Sequence, residues 1–284
     1  MSADARTILI TGCSSGIGQV AAHQMRGRGW RVFPTARKQA DVDKLLAEGF
    51  EAFLLDYERP ETIQAALSSV LELTGGKLDA LFNNGAYAIP GAVEDIPIDG
   101  LKTLFQANFF GWHELTQPVI KVMRAQGHGR IVQCSSILGF IAMKYRGAYT
   151  SSKFALEAYS DTLRQELDGT GIHVSLIEPG PIATRFTPNS LANFDRWIGE
   201  EGMKASPHEQ IYRTRRKRME GGEPGFFKLG PGSVVEKLIH ATEAKRPRAR
   251  YRVTIPTIAL NIIRRVLSTR LLDRFLIRAA NSEE

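Results

Sequence analysis

The chain has 284 residues, of which 43% are hydrophobic and 24% charged, and a formal charge of +7. This length and apolar content support one large buried core and exclude a generally disordered chain. Two cysteines, Cys13 and Cys134, exclude a disulfide framework and a cysteine-rich metal site. They point to a reducing, cytoplasmic setting, and residues 1 to 7 lack the apolar centre of a secretion signal.

The run Thr7-Ile8-Leu9-Ile10 predicts a first strand, and residues 17 to 28 read as a helix. Between them, "TGCSSGIG" puts Gly12, Gly16 and Gly18 at a strand-to-helix corner. Glycine allows a tight turn and close approach to a ligand, and a helix N-terminus favours a pyrophosphate. The spacing G-x-x-x-G-x-G alone does not separate a phosphate cradle from a simple turn. A second strand, "GWRVFPTAR", has Arg37 just past its end; residues 39 to 48 form a short helix, and "EAFLLDY" a third strand ending at Asp56. Pro60 can open the next helix. Then come a fourth strand, "LDALFNNGA", a long helix over 99 to 126 that holds Asn108, and a fifth strand, "GRIVQCSS". A helix over 148 to 168, a sixth strand "IHVSLIEPG" and a seventh, "YRVTIP", complete the alternation.

This order predicts an α/β fold, a doubly wound, mostly parallel seven-stranded sheet with helices on both faces and ligands at the C-terminal ends of its strands. No linker divides residues 1 to 284, so one domain is expected. Residues 181 to 230 have the irregular composition of an excursion that serves as a lid or binding loop. Tyr149 and Lys153 stand one helical turn apart on a common face, and Ser136 lies thirteen residues before Tyr149. On its own the Tyr/Lys pair is equally an ordinary pair on a helix surface.

Together, Gly12, Gly16 and Gly18 after the first strand, Asp56 after the third, "NNGA" from Asn83 after the fourth, Asn108, Ser136, Tyr149, Lys153 and "PGPIAT" at 179 to 184 resemble the NAD(P)-dependent short-chain dehydrogenase/reductase family. The resemblance covers residues 7 to about 256 and implies a Rossmann fold and a homodimer or homotetramer. It implies a coenzyme site built from Gly12, Ser14, Ser15, Gly16, Ile17, Gly18, Asn83, Pro179, Gly180 and Ile182, with Asp56 at the adenine and Thr184 at the nicotinamide carboxamide. Tyr149 would be the general acid/base while hydride passes between the nicotinamide and a carbonyl carbon. Lys153 would lower a phenol pKa that is ordinarily about 10 and hold the nicotinamide ribose. Ser136 would donate a hydrogen bond to the reacting oxygen, and Asn108 would support a water chain. Ser135, off by one in its strand, should face away, and Tyr145 is followed at the helical spacing by Tyr149 rather than by a lysine. The family's usual Asn-Asn-Ala-Gly is Asn-Asn-Gly-Ala in this chain, a departure beside the adenosine ribose.

The coenzyme follows from charge. The second strand ends Thr35-Ala36-Arg37-Lys38; family members that prefer NAD tend to carry an aspartate at the position of Ala36, whereas Arg37 can grip a 2'-phosphate, so NADP(H) is expected over NAD(H). The substrate-facing stretches supply Tyr87, Ile89, Leu138, Phe140, Met143, Phe186, Phe194, Trp197 and Phe226 with few charges, which suggests a hydrophobic carbonyl or alcohol. The wording "TGCSSGIG" and "PGPIAT" is similar to the branch that holds 17β-hydroxysteroid and retinol-type enzymes, and steroids, retinoids and long aliphatic aldehydes stay open. A protein that binds dinucleotide without turnover is the nearest rival reading, and the intact Asn108, Ser136, Tyr149 and Lys153 set argues against it. The basic late segments carry no recognition motif, so nucleic acid is not expected as a partner. Residues 257 to 280 combine apolar and arginine positions in an amphipathic helical pattern, suited to packing on the domain, to a dimer or to weak membrane-surface contact.

Overall fold

In the computed structural model, which describes residues 5–221 and 228–281, seven strands form one sheet in the order β3-β2-β1-β4-β5-β6-β7. The strands are β1 (Thr7–Ile10), β2 (Arg31–Ala36), β3 (Phe53–Leu54), β4 (Ala80–Asn83), β5 (Gly129–Cys134), β6 (Ile172–Glu178) and β7 (Arg250–Arg252). Every neighbouring pair runs parallel, and helices cover both faces. All four residues of β1 and all four of β4 are buried, which is why these strands read as unbroken apolar runs rather than alternating ones. The order reverses between β1 and β4. The chain therefore leaves these two strands in opposite directions and opens a crevice at their C-terminal ends, the arrangement of a Rossmann fold.

The connecting helices are α1 (Gly16–Gly27), α2 (Gln39–Ala47), α3 (Pro60–Leu73), α4 (Ile98–Phe105), α5 (Gly111–Gln126), α6 (Gly147–Glu166) and α10 (Gly232–Glu243), the last preceded by α7 (Phe186–Trp197), α8 (Gly199–Ala205) and α9 (Glu209–Gly221). Two helices, α11 (Ile255–Val266) and α12 (Thr269–Asn281), follow the sheet.

Four expectations from the sequence need correction. The third strand is an edge of two residues, because the chain turns at Asp56, whose Oδ1 accepts from the Glu58 N–H at 3.1 Å. The helix expected over 99 to 126 is broken into α4 and α5 by a π-turn at Gln106–Phe110. Gly111 there presses on Tyr57 so closely that a Cβ would come within 2.7 Å of the ring. The excursion is not irregular over its described residues: it holds α7, α8 and α9, whose Phe194, Met203 and Tyr212 form a small core with Ala92. The Tyr212 hydroxyl accepts from the Ala92 N–H at 2.8 Å and donates to Asp95, and Ser206 donates to the same carboxylate at 2.7 Å, so the excursion is fastened over residues 92 to 95. Finally, the tail is two helices, broken at Leu267 and Ser268.

Across the sheet's other end, Glu243 at the end of α10 accepts from Arg28 Nε at 2.9 Å and from the Trp30 indole at 3.0 Å. The Arg28 hydrogen bonds, aided by Trp30 and by the charges of Arg28 and Arg6, hold its carboxyl down from 4.5 to about 2. A carboxyl depressed in the folded state stabilises the fold fully above its unfolded pKa and loses that contribution as pH falls through the folded value. Acidification from pH 5 to 2 should therefore lower the melting temperature of the wild type more than that of Glu243→Gln, with the two curves converging near the lower limit, as followed by thermal circular dichroism.

Candidate active site

The crevice is a cleft of about 560 Å³ that runs from the glycine corner to the start of α6. At the corner, Gly12 and Gly16 have positive φ of 71° and 61°, a region that glycine enters without the steric cost a Cβ brings. Close approach adds a second demand, since a Cβ on Gly12 would stand 2.6 Å from the Cα of Gly85, and one on Gly18 would collide with the Gly12 carbonyl. Gly18 thus packs α1 onto the turn, while Gly12, Ser14, Ser15, Gly16 and Ile17 line the cleft. Ser15 is the residue just before α1, and the first turn of α1 holds no acidic side chain to compete for its free N–H groups. This cradle of backbone and hydroxyl donors fits the pyrophosphate of a dinucleotide.

Arg37 and Asp56 line the far end of the cleft, and Pro179, Gly180, Ile182 and Thr184 the other, with Thr184 only 3.1 Å from where a Cβ on Gly16 would project. Beside them stand Ser136, Tyr149 and Lys153. α6 carries the last two one turn apart with their side chains on a buried face, and β5 delivers Ser136 at its end, where the Ser136 Oγ accepts from the Leu138 N–H at 3.1 Å. Ser135, expected to face away, is buried but also contributes to the cleft wall, with its Oγ 2.6 Å from the place a Cβ on Gly139 would take and that place in turn 2.9 Å from Glu157. Tyr145 faces elsewhere, its ring packed on His208 and Tyr212.

Lys153 is 1% exposed. Its Nζ donates to the Cys134 carbonyl at 2.8 Å and lies 4.3 Å from the centre of the Trp112 ring and 5.7 Å from that of Tyr149. Burial dehydrates the ammonium and brings its pKa down to about 8, against the pull of neighbouring Cys134 and Glu157. Burial likewise pushes the Tyr149 phenol above its usual value, opposed by a hydrogen bond with Ser136 and by the charge of Arg146. Burial is the largest influence on the phenol and favours its protonated form.

Two expected residues sit behind the cleft wall. Asn83 is fully buried; its Oδ1 accepts from the Tyr57 hydroxyl at 2.8 Å and its Nδ2 donates to Thr116 at 3.0 Å and Gln133 at 2.9 Å. Asn84 is the member of the pair that lines the cleft, donating to the Thr11 carbonyl at 3.0 Å. The two-sided burial of β4 removes the alternation that would have separated them. Asn108, in the π-turn, gives both amide groups to the backbone of Tyr87, accepting from its N–H at 3.1 Å and donating to its carbonyl at 2.9 Å.

Sequence reasoning missed Arg146, Arg185 and Glu58, which also line the cleft, so this wall is more charged than expected. Arg146 stands three residues before Tyr149, a spacing that could have flagged it. Of the apolar residues expected to face substrate, Tyr87, Leu138 and Phe186 line the cleft, with Phe186 edge-on to Tyr149 at 5.4 Å between ring centres. Ile89 is core, Phe140 and Met143 pack beneath the tail, Phe194 belongs to the core of the excursion, Trp197 packs against the main core, and Phe226 lies outside the described residues. No cluster of three or more His, Cys, Asp or Glu among the described residues is arranged to hold a metal.

The fold and this cleft define a dinucleotide-dependent oxidoreductase. Residues 6–194 match the short chain dehydrogenase family, and the chain belongs to it. It is 40% identical to the uncharacterized oxidoreductase YbbO of Escherichia coli, across 95% of this chain and 94% of that one. It is also 29% identical to retinol dehydrogenase 8 of Homo sapiens, across 95% and 88%. Among solved structures, a short-chain dehydrogenase from Streptomyces avermitilis superposes with a TM-score of 0.73 at 26% identity, covering 93% of this chain and 95% of that one.

The contrast between the two asparagines can be measured. Asn83→Ala removes the buried hydrogen bonds to Tyr57, Thr116 and Gln133 and should cost about 2 to 3 kcal/mol, read from the urea midpoint. Asn84→Ala, at a partly exposed position, should cost less stability and more coenzyme affinity.

Proposed function

We propose that the protein interconverts a hydrophobic ketone or aldehyde and the corresponding alcohol with NADP(H), Tyr149 moving the proton. One observation carries this reading: Tyr149, Ser136 and Lys153 line the same cleft as Arg37, and β5, which leads to Ser136, stands three places across the sheet from β2, which leads to Arg37. When bound, the reduced nicotinamide supplies the hydride. The chain's own residues supply the rest. The buried Tyr149 phenol is protonated at neutral pH, and hence an acid ready to give its proton to a carbonyl oxygen as negative charge grows there. Ser136 donates a hydrogen bond to the same oxygen. The phenolate left behind is stabilised by the Lys153 ammonium one helical turn away, and in the oxidative direction it takes the alcohol proton back. Asn108 acts here by fixing the Tyr87 backbone on the cleft wall. Gly12, Ser14, Ser15, Gly16 and Ile17 cradle the pyrophosphate, Asp56 meets the adenine, and Pro179, Gly180, Ile182 and Thr184 meet the nicotinamide half.

The preference for NADP(H) rests on Arg37 in the cleft and Ala36, rather than a carboxylate, at the end of β2. The apolar character of the substrate rests on Leu138 and Phe186, the latter edge-on to the Tyr149 ring, and the likeness to a retinol dehydrogenase is consistent with it. We assign the excursion at 181 to 230 the role of a lid over that end of a single coenzyme-binding domain.

Two measurements test this reading. Tyr149→Phe keeps the ring and loses the transferable proton, so single-turnover reduction of a hydrophobic aldehyde should fall on the order of 10²- to 10⁴-fold, with NADPH affinity nearly unchanged. A rate near wild type would remove Tyr149 from the role. In titrations of the wild type NADPH should bind more tightly than NADH, and Arg37→Ala should weaken NADPH by about 2 kcal/mol while leaving NADH almost unaffected. Equal wild-type affinities for the two would overturn the coenzyme assignment.

A further inference from the structure

The two helices after the sheet contribute nothing to the described wall of the cleft. Their inner side is accounted for by packing. Leu260 of α11 and Leu272 and Leu276 of α12 lie on Phe140 and Ile141, and Arg264 donates to the Phe140 carbonyl at 3.0 Å. Self-packing of this kind was one of the uses the sequence allowed.

Packing does not account for the outer side. On α11, Ile255, Ile258, Ile262 and Val266 recur at intervals of three, four and four, a single stripe along the helix, and are exposed by 66%, 47%, 57% and 76%. On α12, Leu271 and Phe275 are again four apart, with exposures of 49% and 44%. Single exposed apolar residues are ordinary, whereas a continuous stripe marks a surface that meets something. Its charge says what kind of surface. Residues 255 to 281 contain five arginines and one carboxylate, Asp273, and Arg265, Arg270, Arg274 and Arg278 are exposed alongside the apolar positions. A second copy of the chain laid on this face would bring these arginines against their own counterparts, with a single aspartate per chain in return. Neither helix is long and apolar enough to cross a membrane, so any contact with lipid is made lying flat.

We propose that the outer faces of α11 and α12 seat on the surface of an anionic phospholipid bilayer, with the isoleucine stripe in the boundary of the acyl chains and the arginines among the headgroup phosphates. Short helices that are apolar on one face, rich in arginine and nearly free of carboxylates lie in the plane of such an interface. Because Arg264 and Leu260 hold α11 on the segment 137 to 143, the bilayer lies next to the loop that follows Ser136. The inference is independent of which carbonyl compound the cleft accepts.

Flotation of the full-length protein with vesicles tests it, comparing mixed phosphatidylglycerol/phosphatidylcholine with phosphatidylcholine alone. The wild type should float with the anionic vesicles at low salt, far less with the neutral ones, and be released as salt is raised. Ile258→Asp with Ile262→Asp should abolish flotation. Arg265→Gln and Arg274→Gln, which leave the stripe intact, should each weaken binding roughly fivefold. An unchanged NADPH titration shows that each variant is folded. Failure of the wild type to float with anionic vesicles at low salt, equal flotation with neutral vesicles, or variants that float like the wild type would each overturn the proposal. So would a light-scattering mass that falls to the monomer in the isoleucine variant without any vesicle binding by the wild type, since the stripe would then be a protein interface.

Discussion

Gly12 and Gly85 pass so close together that no side chain fits on Gly12, and the rest of the site is organised around that contact. It joins the ends of β1 and β4, the two strands between which the sheet changes direction. Thr11 secures the junction from beneath. Its hydroxyl accepts from the Asn84 N–H at 2.8 Å and the Gly85 N–H at 3.2 Å and lies 2.9 Å from the Tyr57 hydroxyl. One small side chain thus ties together the segments that follow three strands. The demand for glycine lies at Gly12 and not at Gly85, where a Cβ would meet Gly12 and Tyr57 at 3.4 to 3.5 Å, an ordinary contact.

From that junction the cleft extends to a pair of ionisable groups, Tyr149 and Lys153, that folding has taken almost entirely out of water. Dehydration acts on both in the direction of neutrality: the phenol holds its proton more tightly and the ammonium less so. The hydrogen bond from Lys153 to the Cys134 carbonyl and its seat over Trp112 fix the ammonium without a carboxylate in direct contact, which leaves its charge available to a neighbouring anion.

The elements added to the sheet divide two further tasks. α7, α8 and α9 form a small core of their own and close over the segment near Tyr149 through Tyr212 and Phe186. α11 and α12 press one face on the loop after Ser136 and turn the other outward. Both additions pack close to the segment that carries Ser136 and Tyr149, the first through Phe186 and the second through the loop that follows Ser136.

The alternation of strands and helices, the parallel sheet covered on both faces, the glycine corner, and the shared face of Tyr149 and Lys153 were all legible in the order of residues. These depend on local spacing: apolar runs, glycines at a turn, and residues one helical turn apart. Only the tertiary structure decided which of Asn83 and Asn84 faces the cleft, because both faces of β4 are buried and the strand carries no alternation to read. It also decided that Asn108 sits in a π-turn, where Tyr57 presses on Gly111 from another segment. Arg146 entered the cleft wall, and the irregular excursion became three helices, for the same reason: each is held by contacts with residues distant in the chain. The direction of the pKa shifts at Tyr149 and Lys153 was likewise beyond the reach of spacing, since it follows from how much water the assembled fold leaves around each group.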